Sequence, residues 1–453
     1  MRDSIKIASG QGFWGDLIDA PYNQAAQGDI DYLMMDYLAE VTMSILQKQK
    51  LKNPSLGYAR DIPPLMERLL PLLKEKKFKI ITNGGGVNPV SCKDAIFDVA
   101  KKLGISGLKI GIVTGDNILD DIGKLISNGI LLKNMETGES AEVIKDKLLS
   151  ANVYFGALPI VEALKHGADI VITGRVTDTG LTLAPMIYEF GWKMDDWNKL
   201  ASGTIAGHII ECGGQASGGN FLGDWEKVHD LARIGFPIVE AYPDGNFYIT
   251  KHDGTGGMVS VETVSEQLVY EIGNPAEYIT PDCIADFTSI SLEESGKDRV
   301  KVFGIKGNPA TEFYKVSMSY DDGFSAFSTL TYSAPDALKR AQAADKILRT
   351  RLDDLGLKFD EMRTEFLGYN SCHGPLVKRS DELSEVVLRI GVRAKDKSVI
   401  ERFGKEIAPL ILTGPPGVTG FAGGRPKPSE VVAYWPALIP KSAVKPEVIV
   451  EQI

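Results

Sequence analysis

The sequence predicts an α/β protein in two parts. Residues 1–240 are expected to form a largely parallel α/β sheet domain with glycine-rich loops at its strand ends, holding a ligand site. Residues 241–453 are expected to form a mixed α+β domain packed against it. Three observations carry this reading. Up to about residue 235, short apolar runs alternate with helical patterns, the signature of strand–helix–strand units. The segment 152–178, NVYFGALPIVEALKHGADIVITGRVTD, is a complete unit of that kind. Beyond about residue 240 strand-like runs follow one another directly, broken by single helices.

Ile5–Ala8 reads as the first strand and Asp31–Tyr37 as a second apolar run. Val41–Lys50 and Pro63–Lys74 read as helices, and Phe78–Thr82 as a strand ending in Asn83-Gly84-Gly85-Gly86. A helix over Ala95–Leu103 is capped by Gly104, and a strand over Leu108–Val113 stops at Thr114-Gly115-Asp116. In the 152–178 unit, Pro159 suits a first helical turn because its missing N–H is unpaired there anyway. Gly167 suits the left-handed position after the helix, and Asp169–Thr173 is a buried strand running into Gly174-Arg175. In the second part, strands are expected at Phe247–Thr250, Ser289–Glu293, Arg299–Ile305, Phe313–Tyr320 and Phe324–Tyr332, with hairpin turns at Gly296-Lys297 and Asp321-Asp322-Gly323. A helix over Pro335–Leu355, strands near Arg363–Tyr369 and over Glu385–Ala394, a helix over Lys397–Leu412 and a last strand over Glu430–Trp435 complete it.

Composition narrows the function. The 453 residues are 43% hydrophobic and 24% charged, ordinary for a globular protein. A formal net charge of −10 argues against a general nucleic-acid binder, which needs a basic stripe to neutralise phosphates. Cys92, Cys212, Cys283 and Cys372 are scattered, without a C-x-x-C pair, as in a reducing compartment. The N-terminus lacks the pattern of a signal peptide and no apolar run reaches membrane-spanning length. A cytoplasmic chain with no membrane and no nucleic-acid partner is expected.

Several glycine loops follow predicted strands. Gly10-Gln11-Gly12-Phe13-Trp14-Gly15 matches G-x-G-x-x-G, and Asp36 stands where a dinucleotide fingerprint wants an acid. Phe13-Trp14 is bulky for the start of a helix, and Ala20-Pro21 interrupts one, so a structural turn or another anion site fits better. Gly10, Gly12, Asn83, Gly84, Gly85, Gly86 and Arg175 are candidate substrate-binding residues, because strand-end amides and a fixed cation can cradle an anion. Tight strand–helix turns need glycine too, and that reading stands beside it.

Five histidines are present. His166 ends a helix, where it suits the dipole, and His229 lies in a polar stretch. His208-Ile209-Ile210-Glu211-Cys212 is more informative. If helical, His208, Glu211 and Cys212 share a face; if extended, Glu211 points away from the other two. His208 and Glu211 are candidates for acid/base work, with Cys212 beside them, although a buried histidine and an inert core cysteine are equally consistent. Lys251-His252 precede another glycine loop, where Lys251 could bind an anion. Cys372 and His373 are adjacent, so on an extended chain they point apart; His373 is kept as a proton donor. Asp178 is a catalytic candidate or an N-cap of the helix that follows. The Gly- and Pro-rich stretch Thr413–Pro428 is a linker or a lid, with Phe421 and Arg425 as its functional side chains.

Taken together, SGQGFWGD, DYLMMDYLAE, ITNGGGVNP, ANVYFGALPIVEALKHGADIVITGRVTDTGL, AGHIIECGGQASGGNF, ITKHDGTGGMVSVETVSEQLVYEIGNP and TGPPGVTGFAGG resemble one family from residue 7 to about 440. The chain is similar to the acyclic terpene utilisation (AtuA) family. That resemblance implies a setting in the CoA-thioester breakdown of branched acids. It also implies a further small C-terminal domain, here expected as a separate partner subunit. The leading expectation is an enzyme acting on a small branched or dicarboxylic acid or its CoA thioester, a lyase of hydratase or dehydratase type. His208, Glu211, Cys212, His373 and Asp178 are its candidate catalytic residues. Two other readings are carried. One is a metal-assisted hydrolase or lyase with His208, Glu211, Asp178 or His252 as ligands, though no strong ligand motif supports it. The other is a non-catalytic subunit of an acyl-CoA carboxylase or lyase complex. The sequence names no cofactor, and a homo-oligomer is expected.

Overall fold

A computed structural model describes residues 2–377, 383–421 and 423–453. The chain folds into two compact units, one made of residues up to Ser319 together with Tyr434–Ile453, the other of Tyr320–Ala433. The first unit is built on a ten-stranded sheet. Its strands lie in the order Ser291–Glu294, Arg299–Phe303, Phe247–Thr250, Ile238–Ala241, Ile5–Gln11, Tyr32–Met35, Lys79–Thr82, Ile170–Thr173, Lys109–Thr114 and Glu447–Gln452. The five from Ile5–Gln11 to Lys109–Thr114 run parallel; the flanking strands are antiparallel. The parallel core explains the sequence texture. Strands such as Tyr32–Met35 and Ile170–Thr173 are buried at every position, so they read as unbroken apolar runs rather than alternating ones. One core cluster joins Leu33, Ile80, Ile110 and Ile170 of these strands to Leu65, Leu69, Ile96 and Ala100 of the helices Ile62–Lys76 and Pro89–Lys102.

The local punctuation acts where the sequence places it. Pro159 opens the helix Leu158–Lys165, and Gly104 and Gly167 take positive φ of 66° and 86° just after helix ends. The glycine loop after the first strand differs. No helix begins at Phe13-Trp14; the next helix is Ala20–Gln27, and Pro21 starts it instead of interrupting it. The strand–turn–helix geometry of a dinucleotide fingerprint is therefore not formed.

The expected join near residue 240 is also corrected. Ile238–Ala241 pairs with Ile5–Gln11, and Phe247–Thr250, Arg299–Phe303 and Ser291–Glu294 extend the same sheet outward as a meander. A run of antiparallel strands resembles a new domain in sequence while adding only an edge to an existing sheet. The compact units part at Ser319/Tyr320 and Ala433/Tyr434 instead. Gly296, at φ 111°, turns the expected hairpin between Ser291–Glu294 and Arg299–Phe303. The second expected hairpin does not exist: Phe313–Ser333 is one strand of 21 residues running straight through Asp321-Asp322-Gly323. A last strand that the sequence reading omitted, Glu447–Gln452, closes the far edge of the large sheet.

In the second unit, Glu361–Leu367, Glu385–Ala394 and the 324–333 stretch of the long strand pair antiparallel, with the short Val418–Gly420 beyond. Helices Ala337–Asp354 and Lys397–Ile407 cover one face through Ala341, Leu348, Ile400 and Phe403.

Helices Gly180–Phe190 and Trp197–Ile210 of the first unit approach so closely that side chains are excluded. A Cβ on Gly207 would lie 2.6 Å from Thr179 Cα and 2.7 Å from its carbonyl oxygen, both backbone atoms that cannot swing away. Gly207→Ala is therefore expected to destabilise by about 1–3 kcal/mol through overpacking, despite alanine's better helix propensity. Urea unfolding of the variant measures this; an unchanged midpoint would contradict such close packing.

Candidate active site

Parallel strands present their carboxyl ends along one sheet edge, where ligands of open α/β sheets bind. Here that edge carries polar residues that are nonetheless buried: Asp36, Asn83, Asp116 and Arg175. They form one network. Asn83 accepts from the Tyr37 N–H at 2.8 Å and donates to Asp36 Oδ1 at 2.6 Å, while the Leu38 N–H donates to the same Asp36 oxygen at 3.0 Å. Arg175 donates to the Leu38 carbonyl at 2.6 Å and to Asp178 Oδ1, and its guanidinium lies 4.1 Å from the Tyr154 ring centroid. The Arg175 N–H and Asn152 Nδ2 both donate to Asp116 Oδ2, at 2.8 and 2.9 Å.

Burial dominates the protonation of these carboxyls. It pushes Asp36 up to about 6 although the Arg175 charge and the Asn83 amide pull the other way. Asp116 is likewise pushed up to about 6 by burial, offset in part by the Arg175 N–H and Asn152. A carboxyl raised from 3.8 to about 6 favours the folded state in acid. That contribution, about 3 kcal/mol, is complete below the unfolded value and lost as pH rises through about 6. Asp116→Asn is expected to remove this pH dependence, flattening the fall in urea midpoint between pH 4 and 7 relative to wild type. Identical pH profiles for the two proteins would contradict it.

The helix Trp197–Ile210 settles the geometry of the His208 segment, since His208, Glu211 and Cys212 follow one another at helical spacing on one face. His208 Nδ1 meets Glu211 Oε1 at 2.9 Å, and Nε2 meets the Gln267 carbonyl at 3.0 Å. A carbonyl only accepts, so Nε2 carries a proton, and Nδ1 and Glu211 share another between them. Burial alone would lower the His208 pKa, but Glu211 beside it outweighs that and raises it. Burial raises Glu211 as well, with His208 pulling it down. Both imidazole nitrogens are thus used inside the protein, and Tyr278 and Phe287 wrap the ring at 5.7 and 5.3 Å between centroids. His208 orients Glu211 and does not itself face an opening. Glu211 Oε2, by contrast, is buried with no hydrogen-bond partner among the described residues. Burial pushes the Cys212 thiol up to about 12, so it stays protonated and is no thiolate nucleophile.

Gly12 joins the two halves of the site. A Cβ there would sit 2.7 Å from the Gly213 nitrogen and 2.8 Å from the Cys212 carbonyl carbon, so only glycine lets the first strand-end loop lie against the helix terminus. The Glu211 charge consequently reaches Asp36, and the Asp178 charge reaches Glu211. Exposure separates their roles. The Arg175 side chain is 1% exposed, Glu211 16% and Asp178 33%, so Asp178 is the most accessible of the three and Arg175 lies beneath it, while Glu211 Oε2 itself is buried.

Other residues singled out in the sequence lie elsewhere or are occupied. The Gly84 N–H donates to Thr82 Oγ1 and the Gly86 N–H to the Asn83 carbonyl, so these amides close a packed turn rather than an open anion cradle. Gly10 sits within the first strand against the Leu33 and Met35 side chains. Lys251 is buried and held by the Thr255 carbonyl at 3.0 Å and by Asp298 at 3.3 Å. His252 Nε2 is 2.9 Å from the Gln24 carbonyl, and burial lowers its pKa. The N-cap of the helix Gly180–Phe190 is Thr179, one residue beyond Asp178, and Asp178 pairs with Arg175. His373 and Arg425 are exposed residues of the second unit, and Phe421 packs half-buried on that unit's core. Among the described residues no group of three or more His, Cys, Asp or Glu side chains is placed to hold a metal ion. Asp116, Asn152, Tyr154, Gln267 and Tyr278 were not identified from sequence. Asp116 alone carried a signal, as the acid at the end of the Lys109–Thr114 strand.

A family model described as acyclic terpene utilisation family protein AtuA matches residues 5–450, nearly the whole chain. The chain belongs to that family. Among curated proteins none matches it. Membership in the AtuA family ties the chain to the use of acyclic terpenes, a catabolic role. No described helix of this AtuA-family chain is long and apolar enough to cross a membrane. The family match spans both compact units, so the candidate site lies within it.

Proposed function

We propose that the chain is an enzyme acting on a small branched or dicarboxylic acid or its CoA thioester, a lyase that adds or removes water. The observation that carries the reading is the Glu211 carboxyl, sharing a proton with buried His208 while its second oxygen has no partner among the described residues. Burial raises the Glu211 carboxyl above its ordinary range, which suits it to take and return protons. In hydration, Glu211 takes a proton from water as the oxygen bonds to the β-carbon of an unsaturated thioester. It then returns a proton to the α-carbon, so the water is added across the double bond. Asp178, fixed by Arg175 and near enough for its charge to act on Glu211, orients the water. His208 is a positioning residue, and Arg175 organises the floor in place of binding the substrate's anion.

The first test is a thermal shift of the purified protein with CoA, with short branched acyl-CoA thioesters and with the matching free acids. A ligand at 100 times its Kd stabilises the native state by about 2.7 kcal/mol, an easily read rise in Tm. A rise with the thioesters or the acids, and little with free CoA, is expected. No response to any of them would contradict the reading and turn attention to a non-catalytic subunit.

A further inference from the structure

Among the described residues the large sheet ends at Glu447–Gln452, which pairs on one side only, antiparallel to Lys109–Thr114. The register, Glu447 opposite Thr114 through Gln452 opposite Lys109, continues with the Ile453 N–H donating to the Leu108 carbonyl at 3.1 Å. In an antiparallel ladder, residues alternate between hydrogen-bonding the neighbour and facing away from it. Glu447, Ile449, Glu451 and Ile453 therefore bond inward, while Val448, Val450 and Gln452 point their N–H and C=O groups at the open edge. The strand is extended, free of proline, and leaves Ile449 49% exposed. Such an edge is a template for another strand.

Its own sequence selects the partner. Two copies related by a two-fold axis must pair through their outward residues. With Ile449 on the axis, Glu447 would face Glu451 of the second copy, and with Glu451 on the axis two like charges would meet directly; both arrangements are destabilising. Sliding the pairing towards Val448 brings Pro446, which has no N–H, opposite the second copy's Val450. With Val450 on the axis none of this occurs. Val448 then faces Gln452, Ile449 faces Glu451 and Glu447 faces Ile453. The Glu451 carboxylate is also partly neutralised by Lys93 of its own chain at 2.8 Å. We propose that this edge pairs with a second copy of the chain in that register, giving an isologous dimer with one continuous sheet. The proposal does not rest on the functional reading of the site.

Light scattering of the full chain tests it. The wild type is expected at twice the 49.2 kDa chain mass. Val450→Pro removes an outward N–H without touching the inward ladder, and is expected at 49.2 kDa with unchanged circular dichroism. Val450→Cys, in a Cys372→Ser background, places its Cα near its own copy at about 5.5 Å, within disulfide reach. It is expected to form a linked dimer under mild oxidant, whereas Val448→Cys is not. A monomeric wild type, a dimer that survives Val450→Pro, or no linkage through Val450→Cys would overturn the proposal. Should the proline variant fail to fold, the cysteine result decides.

Discussion

Arg175→Ala is expected to cost the protein about 3–5 kcal/mol of stability, the largest effect of any single change in the site. The guanidinium is fully buried and touches three separate elements: the Leu38 carbonyl after the second strand, Asp178 before a helix, and the Tyr154 ring. Its charge is also what holds the buried Asp36 down against desolvation. Removing one partner of a buried charge network leaves the others uncompensated, which is far more costly than never having built it. Lysine does not rescue the site, because one ammonium cannot reach both the carbonyl and the carboxylate in the planar geometry of arginine. Urea midpoints of Arg175→Ala and Arg175→Lys check this. A loss under 1 kcal/mol in both would contradict a supporting role for the residue.

Glu211→Gln is expected to lower turnover by a factor of about 10²–10⁴, the range for losing a general acid/base, while leaving the fold intact. Glutamine is nearly isosteric and can donate to His208 Nδ1, so the hydrogen bond survives with a neutral imidazole. The substitution has a readout that needs no substrate. Glu211 is the cause of the raised His208 pKa, so His208 in Glu211→Gln should lose its proton at lower pH than in the wild type. The raised pKa also contributes stability in the wild type that is complete below about 6.5 and lost as pH rises through the folded value. That contribution should vanish in the variant. Imidazole NMR shifts followed against pH check both statements.

The parallel core was legible in the sequence because its strands are buried on both faces and its turns carry proline and glycine with mechanical reasons. Pro159, Gly104 and Gly167 act as local steric logic requires. The domain border was not legible, because antiparallel strands that widen one sheet and strands that found another have the same local pattern. The long strand Phe313–Ser333 hid for a related reason: Asp321-Asp322-Gly323 favours a turn locally, and ladder pairing of Phe324–Ser333 with Glu385–Ala394 overrides it.

In the site, His208, Glu211, Asp178 and Arg175 were recognisable as residue types but not by role. Whether a histidine faces a ligand or orients a carboxylate depends on where Gln267 lies, 59 positions along the chain. Arg175 looked like an anion binder from its place at a strand end. Burial makes it a keystone instead. The same holds for Gly84 and Gly86, whose amides are taken by Thr82 and Asn83. Such assignments rest on long-range packing, which spacing along the chain does not encode.

The most direct test of Glu211 as the proton-transfer group is α-hydrogen exchange. Short branched saturated and unsaturated acyl-CoA thioesters, and the matching 3-hydroxyacyl thioesters, would be incubated with the protein in D₂O and followed by proton NMR. Wild-type protein is predicted to exchange the α-hydrogen of at least one thioester and to interconvert its unsaturated and hydroxyl forms. Glu211→Gln is predicted to bind that thioester with a similar thermal shift and to exchange nothing. Exchange that persists in Glu211→Gln, or a bound thioester that the wild type leaves untouched, would contradict the role assigned to this carboxyl.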